Sequence, residues 1–245
     1  MHRFAVPGEA IRSGRIRLRG AELRRLRDVL RLRPGAQIEA FDRAGRVCVA
    51  EVVAVGTSAA DLRVLHAVER RTESALSLTL AVAVTKGVKL DWVVEKTTEL
   101  GVARIVPFVS ERTVPERESV AHRLGRWRRI ADAAAAQSGR AACPAIEEVA
   151  TLSGVLRLCR SHDRAVLFWE AADSSLGSRD GEPEPHRVLL ITGAEGGFSQ
   201  REAAAARESG CAVVGLGPRI LRADTAAVAV VALAQFLWGD LGAQR

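Results

Sequence analysis

Two glycine-bearing loops are the segments of this 245-residue chain best suited to chemistry. The first is Val188-Leu189-Leu190-Ile191-Thr192-Gly193-Ala194-Glu195-Gly196-Gly197-Phe198-Ser199, an apolar strand-like run that enters a loop and opens a helix. Its glycines permit positive φ and close backbone approach to a ligand. Ser199 with Glu202 makes an S-x-x-E capping box, which specifies the helix start. The second, Val214-Gly215-Leu216-Gly217-Pro218-Arg219-Ile220-Leu221-Arg222-Ala223-Asp224-Thr225, repeats the arrangement and is stiffened by Pro218. In open α/β sheets ligands lie just past the carboxyl ends of strands, where both loops fall. Neither loop is G-x-G-x-x-G or a phosphate-cradling G-x-x-x-x-G-K-[ST], so a nucleotide phosphate is disfavoured. Taken alone, either loop also reads as an ordinary tight strand-to-helix turn.

Arg222 stands between apolar Leu221 and a helix start. A cation is unfavourable at the positive end of a helix dipole unless an acid or anion is near, which points to a role in chemistry. Asp224 or Thr225 can cap the helix that follows. A third polar cluster comprises Lys86-Gly87-Val88-Lys89, Glu95–Gly101, Ser110-Glu111-Arg112 and Gln137-Ser138-Gly139-Arg140; each piece ends an element and, singly, reads as surface.

The elements that must position these residues fall into two rhythms. Up to residue 71, short strands at Arg15–Arg19, Ala36–Asp42, Arg46–Val55 and Asp61–Glu69 are separated by turn signals, which suggests a small barrel or sandwich. One helix interrupts them, at Ala21–Leu32, with Leu23, Leu26 and Leu30 as its buried stripe and Arg24, Arg27 and Arg31 on another face. After the polar stretch 70–75, strands alternate with helices: Ser77–Thr85, Lys89–Leu100, Arg104–Ser110, Arg123–Gly139, Leu152–Ser161, Arg164–Glu170, Arg187–Thr192, Ser199–Ser209, Ala212–Gly217 and Thr225–Trp238. That alternation predicts an α/β domain with a parallel sheet covered on both faces. Domain boundaries of 1–71 and 72–245 follow, and Asp173–Pro185 reads as a surface loop.

Charge supports the division. Residues 1–71 hold 15 Arg and 8 acids, whereas residues 72–245 hold 21 basic and 21 acidic side chains, so the whole net charge of +7 lies in the first part. An Arg-rich helix face on a small β module is a reasonable phosphate-contacting surface. A compositional bias toward Arg is the plain alternative, since only 3 of the 36 basic residues are Lys. Four scattered Cys without a C-x-x-C pair and no secretory signal fit a reduced, cytoplasmic protein. Five His in no H-x-H or H-E-x-x-H spacing make a metal site improbable. No apolar run reaches the length of a membrane span.

Taken together, Lys86-Gly87, Glu95-Lys96-Thr97-Thr98-Glu99-Leu100-Gly101, Ser110-Glu111-Arg112, Gln137-Ser138-Gly139-Arg140, Gly193-Ala194-Glu195-Gly196-Gly197 and Leu216–Ala226 resemble, in order and spacing, the bacterial 16S ribosomal RNA (uracil-N3)-methyltransferase family of the SPOUT class. The resemblance covers nearly the whole chain. It implies a PUA-like RNA-binding β-barrel, a SPOUT α/β domain with a trefoil knot, S-adenosyl-L-methionine as cofactor and a homodimer acting on the 16S RNA of the small ribosomal subunit. It assigns Thr192, Gly193, Glu195, Gly196, Gly197, Leu216, Gly217, Ile220, Leu221, Thr225 and Ala226 to the cofactor, and Arg222 and Asp224 to catalysis. Lys86, Arg112 and Arg140 join Arg24, Arg27 and Arg31 as candidate RNA contacts. Two positions depart from the family pattern: Ala194 replaces a proline, and Asp224 a glutamate.

Methylation at uracil N3 implies loss of the N3 proton and an unpaired target base, because N3 lies on the Watson–Crick edge. Arg222 is then the candidate for stabilising the uracil anion. A SPOUT ribose 2′-O-methyltransferase and a non-catalytic RNA-binding assembly protein are the competing readings.

Overall fold

The computed structural model describes residues 1–70, 72–85, 89–113, 117–176 and 183–242, with residues 117–122 described by their backbone alone. They divide into two compact units, one of Met1–Glu73 with Asp132–Cys143, the other of Ser74–Ala131 with Pro144–Arg245.

The first unit is built from β1 (Arg3–Ala5), α1 (Gly8–Arg12), β2 (Arg15–Leu18), α2 (Gly20–Arg24), β3 (Gln37–Phe41), β4 (Val47–Val55) and β5 (Ala60–Val68). The strand order is β1-β3-β4-β5-β2. β1 runs parallel to β3 and the other pairs are antiparallel. Four strands lie where alternation and turn residues predict them; β1 is too short to carry an alternation signal. Phe4 and Val6 at one edge and Ile16 and Leu18 at the other share a core with Ile38, Ala40, Ala50 and Leu62, so the sheet curls to bring both edges onto one centre. Each large side chain buried there contributes about 1.5–3 kcal/mol. Glu39 is buried between Arg3 (2.5 Å) and Arg70 (2.6 Å). Burial alone would raise its pKa, but the two guanidinium hydrogen bonds and charges outweigh that and hold it below the usual carboxylate range.

The helix expected over Ala21–Leu32 is not continuous. After α2 the chain widens into a π-helical turn at Arg25–Val29, where Leu30 N donates to Arg25 O, and Arg31 then adopts φ 53°. The wide turn adds a residue to the helical repeat, and the left-handed residue ends it. Arg31 therefore leaves the face that carries Arg24 and Arg27, while Leu23 and Leu26 still reach the core.

The second unit contains β6 (Ser77–Ala83), α3 (Lys89–Glu99), β7 (Arg104–Val109), α4 (Arg117–Ser138, the part before Asp132), β8 (Ala145–Ile146), β9 (Ala150–Thr151), α5 (Leu152–Leu156) with a 3-10 turn at Arg157–Ser161, β10 (Arg164–Phe168), β11 (Arg187–Thr192), α6 (Gln200–Glu208), β12 (Ala212–Val214) and α7 (Ala223–Trp238). The sheet order is β12-β10-β11-β6-β7-β8, with β9 also on β7, and every pair is parallel. Alternate residues of the central strands serve two cores. Leu78, Leu80, Val82, Val188 and Leu190 pack on one face with Val94, Trp127, Val230 and Ala234. Ala81, Ala83, Leu189 and Ile191 pack on the other with Val155, Ala203 and Ala206. That double burial is why these strands read as continuous apolar runs.

Among the described residues no helix is long and apolar enough to cross a membrane. Cys48, Cys143, Cys159 and Cys211 are buried free thiols, and burial, with Asp132 nearby, pushes the Cys143 thiol up to about 12.

Candidate active site

β10 lies between β11 and β12, and all three run the same way. Their carboxyl ends therefore meet at one sheet edge. The segments leaving them, with Lys89 at the start of α3 and Ala223 and Ala226 on α7, enclose a cavity of about 590 Å³. Both glycine loops line it, through Thr192–Gly197 and Leu216–Arg222.

The first loop is anchored by Phe198, which is fully buried and stacks on Phe108 with ring centroids 6.4 Å apart. Gly197 N donates to Ala194 O at 2.9 Å, closing the turn, and Gly197 takes φ 63°, a conformation open to glycine at little cost. A Cβ at Gly193 would press on the Phe198 ring, one at Gly196 on Arg112, and one at Gly197 would enter the Glu170 carboxylate. Ala194 is buried in the core beneath.

The capping box is present, with Glu202 N on Ser199 Oγ and Ser199 N on Glu202 Oε2. It extends across the sheet edge to the Ser110-Glu111-Arg112 motif. Glu111 N donates to Glu202 Oε1 (2.8 Å), Ser199 Oγ to Glu111 Oε2 (2.7 Å), and Arg112 Nη1 to Gly196 O (2.9 Å). Two of these bonds tie the loop after β7 to the start of α6, and the third ties it to the glycine loop itself.

Inside the cavity Lys89 Nζ pairs with Glu195 Oε1 at 2.7 Å. Burial pushes the Glu195 pKa up, but the Lys89 hydrogen bond and charge more than offset this, and the net shift is downward. Thr192 also lines the cavity; it is 1% exposed and its buried hydroxyl has no partner. An unpaired buried hydroxyl costs about 1–3 kcal/mol, so an acceptor or donor from a ligand is the natural complement.

Arg222 is the N-cap residue of α7 without a capping hydrogen bond, and its side chain is 72% exposed at the cavity wall. The helix begins two residues before the expected Thr225, so neither Asp224 nor Thr225 caps it. Asp224 instead occupies the first turn, where its carboxylate accepts from Thr225 N (3.1 Å) and lies 3.5 Å from Arg222 Nε. That acid answers the electrostatic objection to a cation at this helix end.

Most residues expected at the cofactor therefore come together: Thr192, Gly193, Glu195, Gly196, Gly197, Leu216, Gly217, Ile220, Leu221 and Ala226 line one cavity with Arg222. Thr225 and Asp224 stand just outside its lining. Phe168, Trp169 and Glu170, at the end of β10, line it as well and went unnoticed in the sequence. The strand-end rule that identified the glycine loops also covers them, but no glycine or helix start marks the spot.

The expected RNA contacts fare differently. Arg24 and Arg31 are exposed. Arg27 holds Asp28 at 2.6 Å and donates to Thr57 O. Arg112 is exposed but bonded to the glycine loop. Arg140 is only 5% exposed, and its guanidinium grips Glu73 at 2.5 Å within the first unit. Lys86 lies outside the described residues.

Residues 72–235 match the RNA methyltransferase domain family and residues 18–65 the RNA methyltransferase PUA domain family. Ribosomal RNA small subunit methyltransferase E of Synechocystis is 33% identical over 96% of this chain and 76% of its own length. The crystal structure of the Neisseria gonorrhoeae ribosomal RNA small subunit methyltransferase E bound to S-adenosylmethionine superposes with a TM-score of 0.88 at 32% identity, covering 98% of this chain and 99% of that one. A Legionella pneumophila methyltransferase in complex with the same cofactor gives 0.89 at 30% identity, with the same coverage.

Proposed function

The chain belongs to the ribosomal RNA small subunit methyltransferase E family, and we propose that this S-adenosylmethionine-dependent enzyme methylates a uridine of small-subunit ribosomal RNA at N3. One observation carries the reading: the cavity at the ends of β10, β11 and β12 pairs a glycine cradle and an unpartnered buried Thr192 hydroxyl with an exposed arginine at its wall.

The cavity's residues fit the cofactor. Phe168, Leu216, Leu221 and Ala226 offer apolar walls, and Gly193, Gly196 and Gly197 offer backbone without side chains. Lys89, its one lysine, is already paired with Glu195, so no free lysine is offered to a phosphate in the manner of a P-loop. When bound, S-adenosylmethionine supplies an electrophilic methyl group on a sulfonium. The chain supplies placement and charge. The Glu111–Glu202–Ser199 clasp and Phe198 fix the glycine loop, and Thr192 orients a polar group of the ligand. Arg222 faces the uracil oxygens, which carry the negative charge once the N3 proton has left. Asp224 acts through Arg222, holding the guanidinium over the cavity mouth, and is a positioning residue. Fixing the base beside the methyl supplies much of the rate.

RNA affinity comes from the first unit, whose segment 1–71 carries the whole net charge, with Arg24 and Arg31 among its exposed cations. Domain boundaries at 1–71 and 72–245, a trefoil knot, a homodimer and a cytoplasmic place of action belong to the same reading. The knot is supported by chain order. β12 lands beyond β10, and Gly215–Arg222 must then run back over the strand ends to α7, which packs on β6 and β11. The homodimer is supported by α7, which leaves Leu233 and Phe236 exposed on one face while the buried Gln235 amide lacks a partner. Isothermal calorimetry with S-adenosylmethionine tests the reading: micromolar binding supports it, and no detectable heat removes the enzymatic interpretation.

A further inference from the structure

Two carboxylates line the cavity, and they are not equivalent. Glu195 is taken up by Lys89 at 2.7 Å. Glu170 is exposed, and it accepts no hydrogen bond and makes no ion pair with any described residue, while its backbone is placed by its neighbours. The preceding Trp169 ties β10 to the end of β12 and to the far side of the glycine loop: its backbone N donates to Val214 O at 2.9 Å and its indole Nε1 to Phe198 O at 3.1 Å. Glu170 consequently projects from the point where the ends of β10, β11 and β12 meet. Its carboxylate lies close to Gly197, where a side chain would have to push that flexible carboxylate aside.

We infer that Glu170 accepts hydrogen bonds from the vicinal hydroxyls of the cofactor's ribose, as the second polar anchor of the cavity beside the unpartnered hydroxyl of Thr192. The inference rests on the cofactor reading above. A carboxylate with both oxygens free of other partners offers two acceptors, which match two adjacent O–H donors. It also repels RNA phosphate, so this end of the cavity suits an uncharged part of a small ligand, while Arg222 serves the RNA end. Gly197 then has a second reason to be glycine, since it leaves room for the acid as well as adopting positive φ. The sequence hides all this, because Glu170 follows a strand with no motif around it.

The test is calorimetry with 5′-methylthioadenosine, its 2′-deoxy analogue and S-adenosylhomocysteine, on wild-type protein, Glu170→Ala and Glu170→Gln. Glu170 is exposed, so the variants should melt with the wild type, and the fold is checked by circular dichroism. A charge-assisted hydrogen bond predicts that Glu170→Ala weakens 5′-methylthioadenosine and S-adenosylhomocysteine alike, by about 10- to 100-fold. Glu170→Gln, which keeps one acceptor, should lose less. Removing the 2′-hydroxyl should cost wild type about 10-fold or more and Glu170→Ala less than about twofold. Unchanged affinities in Glu170→Ala overturn the inference. So does a loss confined to S-adenosylhomocysteine, which would put the carboxylate on the amino-acid end. Wild-type protein that binds none of the three overturns the cofactor reading itself, and the role of Glu170 with it.

Discussion

Lys89 Nζ and Glu195 Oε1 lie 2.7 Å apart, joining residues separated by 106 positions in the chain. The pair links the start of α3 to the glycine loop and settles the charge of the cavity floor. Both side chains are partly exposed, so its worth is that of a surface ion pair. Lys89→Ala should weaken S-adenosylhomocysteine by only about two- to fivefold. Because the folded pKa of Glu195 is depressed, the pair is intact above the ordinary value near 4.5 and is lost as pH falls through the lowered value. Cofactor affinity measured between pH 6 and 8 should therefore show no titration from this pair.

Arg222→Ala should separate chemistry from cofactor binding. With the guanidinium at the cavity wall and mostly in solvent, its removal should lower kcat about 100- to 1000-fold, as for loss of one donor to a developing oxyanion. The Kd for S-adenosylhomocysteine should stay within about twofold. Asp224→Asn should lower kcat less, because it leaves the cation in place. Single-turnover methyl transfer and calorimetry on the same preparations check both.

Gly197→Ala should impair cofactor binding beyond its effect on stability. A non-glycine residue at φ 63° costs about 1–2 kcal/mol, and the new Cβ must also displace the Glu170 carboxylate. Thermal melts should show the modest destabilisation, and calorimetry a loss of affinity for S-adenosylhomocysteine of about tenfold or more. Binding equal to wild type would show that the close approach of Glu170 and Gly197 is incidental.

Glu39 gives the first unit a definite acid response. Its folded pKa lies below its ordinary value near 4.5. The stability it contributes is therefore complete above that value and is lost as pH falls through the folded pKa. Glu39→Gln leaves Arg3 and Arg70 without their charge partner and should cost about 3 kcal/mol at pH 7. The gap between the two melting curves should narrow as pH drops below about 4.5.

Much of this arrangement was legible in the sequence, for physical reasons that differ by element. The strands β6, β10 and β11 are buried on both faces and so announce themselves as apolar runs, and the Ser199–Glu202 box marks the start of α6 within one residue. The glycine loops were visible because positive φ and close approach demand a residue type. What was not legible depends on partners far along the chain. Arg140 looks like a surface cation until Glu73, 67 residues earlier, is seen to hold it. Arg31 leaves its helix face because of a π-helical turn that leucine spacing does not betray. Glu170 becomes part of the site only when β10 is placed beside β11.

The same geometry refines the RNA surface. Arg24 and Arg31 are exposed, whereas Arg27 is occupied by Asp28 and Thr57, so charge reversal at Arg24 and Arg31 should weaken RNA binding more than reversal at Arg27. Each lost phosphate contact should reduce the slope of log K against log salt by about 0.7–0.9. Filter binding of small-subunit RNA across a salt series reads this directly, and Arg140→Ala should change stability before it changes the slope.

The most direct test of the central claim is transfer of labelled methyl from S-adenosylmethionine to small ribosomal subunits and to naked 16S RNA, followed by nucleoside mapping. The account predicts label in 3-methyluridine, transferred about 100- to 1000-fold more slowly by Arg222→Ala. Label in a 2′-O-methylated nucleoside, or cofactor binding with no transfer to either substrate, would contradict it.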